Sequence, residues 1–375
     1  MTTATSTDLA GPHWPPQNLI GGWSLGALLF SNDYRAIAVK GILTALAMLA
    51  LAGLFALTFR AELTLPDIQL FGARVYMGLM TVHGLLMVFG FVIPFVLSVS
   101  YYLLPVVLRT GRLHWAGAAQ ASYWTLVGAA LLLVVGRPDF TWTFYAPMSL
   151  RVGGDLAWMG YVAIVLVGVS EFLAGVVLLR NVLAWRGGWR SMPLFGWGML
   201  SEAGLLLLST PMLAVVGGIL VTDWLGATAI YDPARGGSAA TFLWMFWFYG
   251  HPAVYLPLVP AIAVVYTLLP RFLGRPMWSH ASGVIAFMLL LVLSFVVFQH
   301  HFQPNVTTHG WVQRAFQILT LAIFIPSTLH VFNWIATLWS GRIPASALAA
   351  IPFRFTVGAI FFLILGGVTG FLNAQ

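Results

Sequence analysis

The chain has 375 residues, of which 60% are hydrophobic and only 7% are charged, whereas soluble domains contain about 25% charged residues. The composition therefore excludes a soluble domain, and the net charge of +7 comes mainly from arginines in loops between apolar stretches, so we predict no nucleic-acid partner. The absence of cysteine excludes disulfides and thiolate metal sites.

Nine apolar stretches are long enough to predict nine transmembrane helices, since a bilayer core needs about 20 apolar residues per helix. The predicted helices span 37–58, 75–107, 118–136, 156–185, 194–222, 239–270, 281–302, 313–340 and 350–374. The short loops leave no room for a soluble domain. We therefore predict an all-α integral membrane protein, with a short cytoplasmic segment over 1–36 and one transmembrane domain over 37–375.

The distribution of basic residues predicts the orientation. If the N-terminus lies in the cytoplasm, most of the 17 lysine and arginine residues fall on the cytoplasmic side, as membrane proteins prefer. Nine crossings then place the C-terminus outside. We expect a multi-pass protein of the cell (inner) membrane.

Three histidines at predicted helix positions suggest a metal site, because histidine inside a bilayer is costly and usually functional. His251 lies in the sixth predicted helix, and His300 and His301 are adjacent at the end of the seventh. Three imidazoles suit copper and leave a coordination position open. Interhelical hydrogen bonding is the alternative, and spacing alone does not decide between them.

The spacing around these histidines raises two further expectations. Neighbours on a helix point about 100° apart, so His300 and His301 need a distortion to share a metal, and Pro304 can supply one. Tyr255 follows His251 by four residues and should lie on the same helical face. A phenol there can donate an electron and a proton.

The motifs resemble the haem–copper oxygen reductase (cytochrome oxidase) subunit I family. The family pattern Gly-His-Pro-x-Val-Tyr is present at 250–255, and the His-His pair at 300–301. Further segments similar to the family follow in its order, at 29–33, 80–84, 142–147, 192–195, 222–237, 334–339 and 369–374. The chain resembles helices one to nine of a twelve-helix bundle.

The resemblance implies roles for five residues. His251, His300 and His301 would bind the active-site copper, and Tyr255 would be covalently joined to His251 and take part in catalysis with it. His83 would be one axial ligand of a low-spin haem, for which imidazole is a usual ligand.

The family continues into a tenth helix with a His-x-His motif, which provides the second axial ligand of the low-spin haem and the ligand of a high-spin haem. We therefore expect a second polypeptide that carries helices ten to twelve, with the high-spin haem bound only in its presence. Oxidase subunits II and III are further expected partners. Cytochrome c and quinol both remain open as the electron donor, and the haem type is also open.

The usual proton pathways of the family are not intact. Its helix-six carboxylate is replaced by Ala253, and the aspartate after helix two corresponds to Arg112. The helix-eight lysine is replaced near His330. Polar residues inside predicted helices provide other candidates for a proton pathway, since each needs an explanation in a bilayer: Glu171, Glu202 and His330.

The sequence thus predicts the large part of a split subunit I in a respiratory terminal oxidase, which reduces oxygen to water with coupled proton uptake or translocation. A nitric oxide reductase-like enzyme is a second interpretation, against which Tyr255 argues because that branch lacks the tyrosine. A third is a non-catalytic or remnant homologue with a structural or assembly role.

Overall fold

The computed structural model describes residues 23–64, 70–152, 154–302 and 310–373, and within them regular structure is helical throughout. The α-helices are α1 (Leu25–Phe30), α2 (Tyr34–Glu62), α3 (Ala73–Leu85), α4 (Ile93–Val107), α5 (Ala116–Gly136), α6 (Met148–Arg151), α7 (Ala157–Val182), α8 (Leu194–Trp224), α9 (Ala239–Tyr255), α10 (Leu258–Leu273), α11 (His280–Ser294), α12 (Gly310–Ala322), α13 (Phe324–Trp339), α14 (Ala345–Ala349) and α15 (Ile351–Asn373).

Helices within the described ranges form eight segments that are long and apolar enough to cross a membrane, and α11 is a shorter apolar helix. Together they correspond to the nine predicted segments. Several crossings are composite: a π-helical stretch, Leu86–Val92, joins α3 to α4, and α9 and α10 form one crossing, as do α12 and α13. The fold is that of an all-α multi-pass membrane protein, as predicted.

Two boundaries differ from the sequence prediction in ways that matter for function. The seventh helix, predicted over 281–302, ends at Ser294, and a separate 3₁₀ turn follows at Phe298–His301. The first crossing begins at Tyr34, because the Asp33 side chain caps it by accepting a hydrogen bond from the Arg35 N–H. Lys40, which the prediction of orientation counts among the charges on the cytoplasmic side, is buried inside α2.

The centre of the bundle is formed by α7, which packs along α5 and α8. Small residues allow this close approach, as is common in membrane bundles. A Cβ atom at Gly168 would lie 2.8 Å from the Ala214 backbone nitrogen, and one at Gly217 would lie 3.0 Å from that of Val165. Larger residues at either glycine would force α7 and α8 apart.

The helices at the two ends of the described chain are much less covered than the central ones. In the most apolar windows of α2 and α15 only 11% of residues are buried, against 56% in the crossing that contains α7. Bulky side chains such as Phe355 and Phe362 on α15 are about 70% or more exposed, at 76% and 69%. These faces must contact lipid or further protein.

Candidate metal centre

The site is built on α9, which carries two of its side chains on one face. The His251 side chain is buried, with 3% of its surface exposed. The ring of Tyr255, one helical turn later, lies 5.2 Å from the His251 ring between centroids, in an edge-on arrangement. The i, i+4 spacing on a helix explains why the two rings meet.

The adjacent histidines reach this face from the 3₁₀ turn. The ring centroid of His251 lies 4.7 Å from that of His300 and 5.1 Å from that of His301. The change from α-helix to 3₁₀ turn brings the neighbouring rings together, instead of the expected distortion within a continuous helix. Pro304, to which we attributed that distortion, lies outside the described residues.

The ring nitrogens of the three histidines are close enough together to bind a single metal ion. Each histidine offers one nitrogen, and these nitrogens lie within 4.8 Å of one another. The closest pair, Nδ1 of His251 and Nε2 of His301, is 2.9 Å apart. Two bonds of about 2.0 Å to one ion at a tetrahedral angle separate the nitrogens by about 3.3 Å. The residues therefore fit a copper ion with small shifts, and a three-imidazole set is a donor set that copper accepts.

Hydrogen bonding determines which nitrogen of His300 is available. Its Nδ1 lies 2.9 Å from Oγ1 of Thr320 on α12, and that hydroxyl donates its own hydrogen to the Phe316 carbonyl at 2.7 Å. Thr320 can therefore only accept from His300, so Nδ1 carries the hydrogen and Nε2 keeps a free lone pair. Outer groups that fix a ligand's tautomer in this way also fix its orientation.

A tryptophan on α9 positions His301. The Trp247 and His301 rings are stacked, with centroids 3.9 Å apart and planes 2° from parallel. The Trp247 Nε1–H donates to the Tyr145 hydroxyl at 2.7 Å. Thr320, Trp247 and Tyr145 were not predicted from the sequence, because each contacts its partner across a separation along the chain that helical periodicity does not encode.

His83 lies apart from this cluster, on α3. Its Nδ1 is 2.9 Å from the Ala52 carbonyl on α2, and since a carbonyl only accepts, Nδ1 carries the hydrogen. Nε2 is then free to bind iron, which is the arrangement seen when an outer group orients a metal-binding imidazole. The residue fits one axial position of a haem.

The three candidate proton-pathway residues lie in other parts of the bundle and are not members of the histidine cluster. Glu171 on α7 accepts a hydrogen bond from the Tyr249 hydroxyl at 2.9 Å. Glu202 on α8 is fully buried, and neither of its carboxyl oxygens has a hydrogen-bond partner among the described residues. His330 on α13 bonds through Nδ1 to the Tyr266 hydroxyl at 2.9 Å.

Fold and cluster together describe a helical membrane protein with three converging imidazoles, one of them buried, and an adjacent phenol. Residues 36–375 match the family model described as "Cytochrome C and Quinol oxidase polypeptide I". The chain therefore belongs to the haem–copper oxidase subunit I family, whose members are terminal oxidases that bind haem and copper.

Individual relatives agree with this assignment. The chain is 30% identical over 355 residues to "Cytochrome c oxidase subunit 1" of Synechocystis sp., an alignment that covers 92% of this chain and 63% of that protein. It is 33% identical to "Heme-copper oxidase subunit I+III" of Aeropyrum pernix, covering 91% of this chain and 42% of the relative. The chain thus spans less than two thirds of the length of either relative.

The fold is also similar to that of a solved structure, a "heme-copper terminal oxidase dimer" determined by cryo-EM. The TM-score is 0.74 at 20% sequence identity, and the match covers 93% of this chain and 62% of the other. At this identity the likeness concerns the fold alone.

Proposed function

We propose that this chain forms the copper-binding part of a respiratory terminal oxidase that reduces oxygen to water at a haem–copper centre. The observation that carries the proposal is the convergence of His251, His300 and His301 beside Tyr255, with His251 buried and the other two histidines partly buried. In this proposal copper, when bound, supplies a redox-active centre with an open position for oxygen.

The side chains of the chain have separate tasks in this proposal. His251 would hold the ion through Nδ1, while His300 and His301 would hold it through Nε2. Nε2 of His251 has no hydrogen-bond partner among the described residues, and it belongs to the ring that Tyr255 approaches. These positions support the covalent join between the two residues. The Tyr255 hydroxyl would donate a proton and an electron to the oxygen atom being reduced, and both would later be restored from the electron donor and the proton supply.

The relatives contain a further part that this sequence does not match, and we propose that it completes the centre. Helices ten to twelve, with a His-x-His motif, would bind the high-spin haem and provide the second axial ligand opposite His83. They would cover the exposed faces of α2 and α15. A separate polypeptide is our proposed source of these helices, and subunits II and III would complete the enzyme.

Expression of this chain alone, and together with a candidate chain for helices ten to twelve, tests the proposal. Alone, the purified protein should bind copper and hold haem poorly. Together, the two chains should show two haems by optical spectroscopy and consume oxygen with cytochrome c or quinol as donor. Two normally bound haems in the isolated chain would contradict the division between polypeptides.

The same experiment addresses the alternatives. A complete complex that binds copper and haem but does not turn over would support a non-catalytic homologue. Reduction of nitric oxide without reduction of oxygen would support the nitric oxide reductase-like enzyme.

The proposed orientation, with the N-terminus in the cytoplasm, is tested by protease or reporter accessibility at the two termini.

A further inference from the structure

A small cavity lies between α2, the π-helical stretch, α4, α5 and α7. Its volume is about 50 Å³, which is room for about three water molecules, since one needs on the order of 15 Å³. The Glu171 side chain lines it together with a set of hydroxyl-bearing residues. These are Thr44, Ser98, Tyr101, Ser122, Tyr123 and Ser170.

Lys40 lies beside the lining of this cavity, one residue before Gly41. Only 1% of the residue is exposed, and its Nζ donates to the Leu29 carbonyl at 2.6 Å and to Oε1 of Gln120. The ammonium group also lies 4.2 Å from the centroid of the Tyr123 ring. The Tyr123 hydroxyl is hydrogen-bonded to Thr44 at 2.8 Å, so the lysine meets the lining of the cavity directly. A buried cation inside a membrane helix calls for a functional explanation.

The lining of the cavity offers polar groups to water. The Ser122 and Ser170 hydroxyls are 3.1 Å apart. Each donates to the other residue's backbone carbonyl and can accept a hydrogen bond from water, and Ser98 adds a third acceptor. The buried Tyr101 hydroxyl lies close to Ser122 but has no hydrogen bond of good geometry among the described residues. Since buried polar groups are usually satisfied by protein or ordered water, this hydroxyl favours a hydrated cavity.

Glu171 lines the cavity and connects it to α9. Its Oε2 accepts the hydrogen bond from Tyr249, and the Tyr249 side chain is buried, with 1% exposed. Tyr249 precedes His251 by two residues, so the two side chains point about 200° apart around α9. The polar chain therefore ends in the helical turn that carries the candidate copper ligand, on the opposite side of the helix.

The geometry points to a proton route that runs from Lys40 through the cavity to Glu171 and Tyr249. This route rests on the proposed function, and its residues are the groups that would supply protons for oxygen reduction. The Lys40 ammonium gives a proton to the cavity water, the Glu171 carboxylate takes one from that water, and Lys40 is reprotonated from the nearby aqueous phase. When the Tyr249 hydroxyl passes its proton on, the Glu171 carboxyl replaces it, so that the route delivers protons to the helical turn that carries His251.

Turnover of the assembled oxidase tests the route. Glu171→Gln keeps the shape of the side chain but removes its proton-carrying group, so oxygen consumption and proton uptake should fall about 10²-fold, the lower range for loss of a positioned acid or base. Copper content should be unchanged. Lys40→Arg keeps the charge but cannot release a proton at ordinary pH, and it should slow turnover as Lys40→Met does.

A matched pair of isosteric variants tests the cavity itself. Thr44→Val removes a lining hydroxyl and should slow proton uptake. Thr210→Val is the control, because Thr210 is buried on α8, its hydroxyl donates to the Leu206 carbonyl and it is not among the described residues that line the cavity. Equal effects of the two changes would count against the route.

A readout independent of turnover separates failure of the route from failure of the proposed function. Infrared spectroscopy should identify the Glu171 carboxyl stretch as the band that Glu171→Gln removes and Tyr249→Phe shifts. In D₂O that band should exchange quickly in the wild type and slowly in Lys40→Met and Thr44→Val. Slow exchange in the wild type, or full turnover of Glu171→Gln, overturns the route. A wild-type complex with fast exchange but no oxygen consumption would instead overturn the proposed function and leave the route standing.

Discussion

Replacement of Thr320 by valine should weaken copper binding while leaving all three histidines in place. Thr320 accepts the hydrogen bond from Nδ1 of His300 at 2.9 Å, and valine has nearly the same shape but no acceptor. Without that bond the His300 ring can rotate or adopt the other tautomer. Loss of an outer hydrogen-bond partner typically lowers metal affinity about 10–100-fold, which corresponds to about 1.4–2.7 kcal/mol.

Copper titration of the metal-depleted membrane protein, in competition with a chelator of known affinity, measures this change. Thr356→Val on α15 is the matched control. Its hydroxyl bonds to the Pro352 carbonyl four residues earlier, as that of Thr320 bonds to Phe316, but none of the described histidines is hydrogen-bonded to it. The control should therefore bind copper as the wild type does.

A copper affinity in Thr320→Val that equals the wild-type value would show that the hydrogen bond from His300 to Thr320 does not support copper binding. Equal losses in both variants would lead to the same conclusion, because the effect would then come from the loss of a hydroxyl in any helix. Electron paramagnetic resonance of the Cu(II) form adds a second check. The nitrogen environment should become less ordered in Thr320→Val alone.

Three further predictions concern other residues. Tyr255→Phe should retain copper by elemental analysis but lose oxygen reduction in an oxygen-electrode assay, and full activity would exclude a catalytic role for the phenol. His83→Gln should remove the low-spin haem spectrum from the assembled complex and leave copper content unchanged; an unaltered spectrum would assign the iron ligand elsewhere. The pKa of His114, in the loop after α4, is lowered from its usual 6.5, first by burial and then by nearby arginine charges. The unfolded chain therefore takes up the proton at a higher pH than the folded chain does. Wild-type stability should fall as the pH drops below 6.5. His114→Gln should reduce this loss in thermal unfolding measured at several pH values, and an identical pH profile would count against the assignment.

Much of the fold could be predicted because membrane helices are encoded locally, by length and apolarity. The exceptions are places where tertiary contacts decide the backbone. Nothing in the apolar run around Ser294 signals the end of α11, and the 3₁₀ turn at Phe298–His301 is what brings the adjacent histidines together. Lys40 illustrates the same limit, because a lysine close to a predicted helix start indicates topology, whereas its burial depends on Gln120 and Tyr123 eighty or more residues later.

The candidate site was predictable in its ligands but not in their surroundings. The i, i+4 relation of His251 and Tyr255 can be derived from helical geometry, and the His-His pair is visible in the sequence. Thr320 and Tyr249 carry no such signal, since a threonine and a tyrosine in apolar helices are common. Their partners, His300 and Glu171, are found only when α12 and α9 are placed beside them in space.

We propose that His251, His300 and His301 bind one copper ion, and X-ray absorption at the copper edge, on protein purified from copper-supplied membranes, is the most direct test. We expect one copper ion per chain with three imidazole nitrogens at about 2.0 Å, and loss of imidazole scattering in His251→Ala, His300→Ala or His301→Ala. Absence of bound copper in the wild type, or a copper whose imidazole ligands are unchanged in these variants, would contradict it.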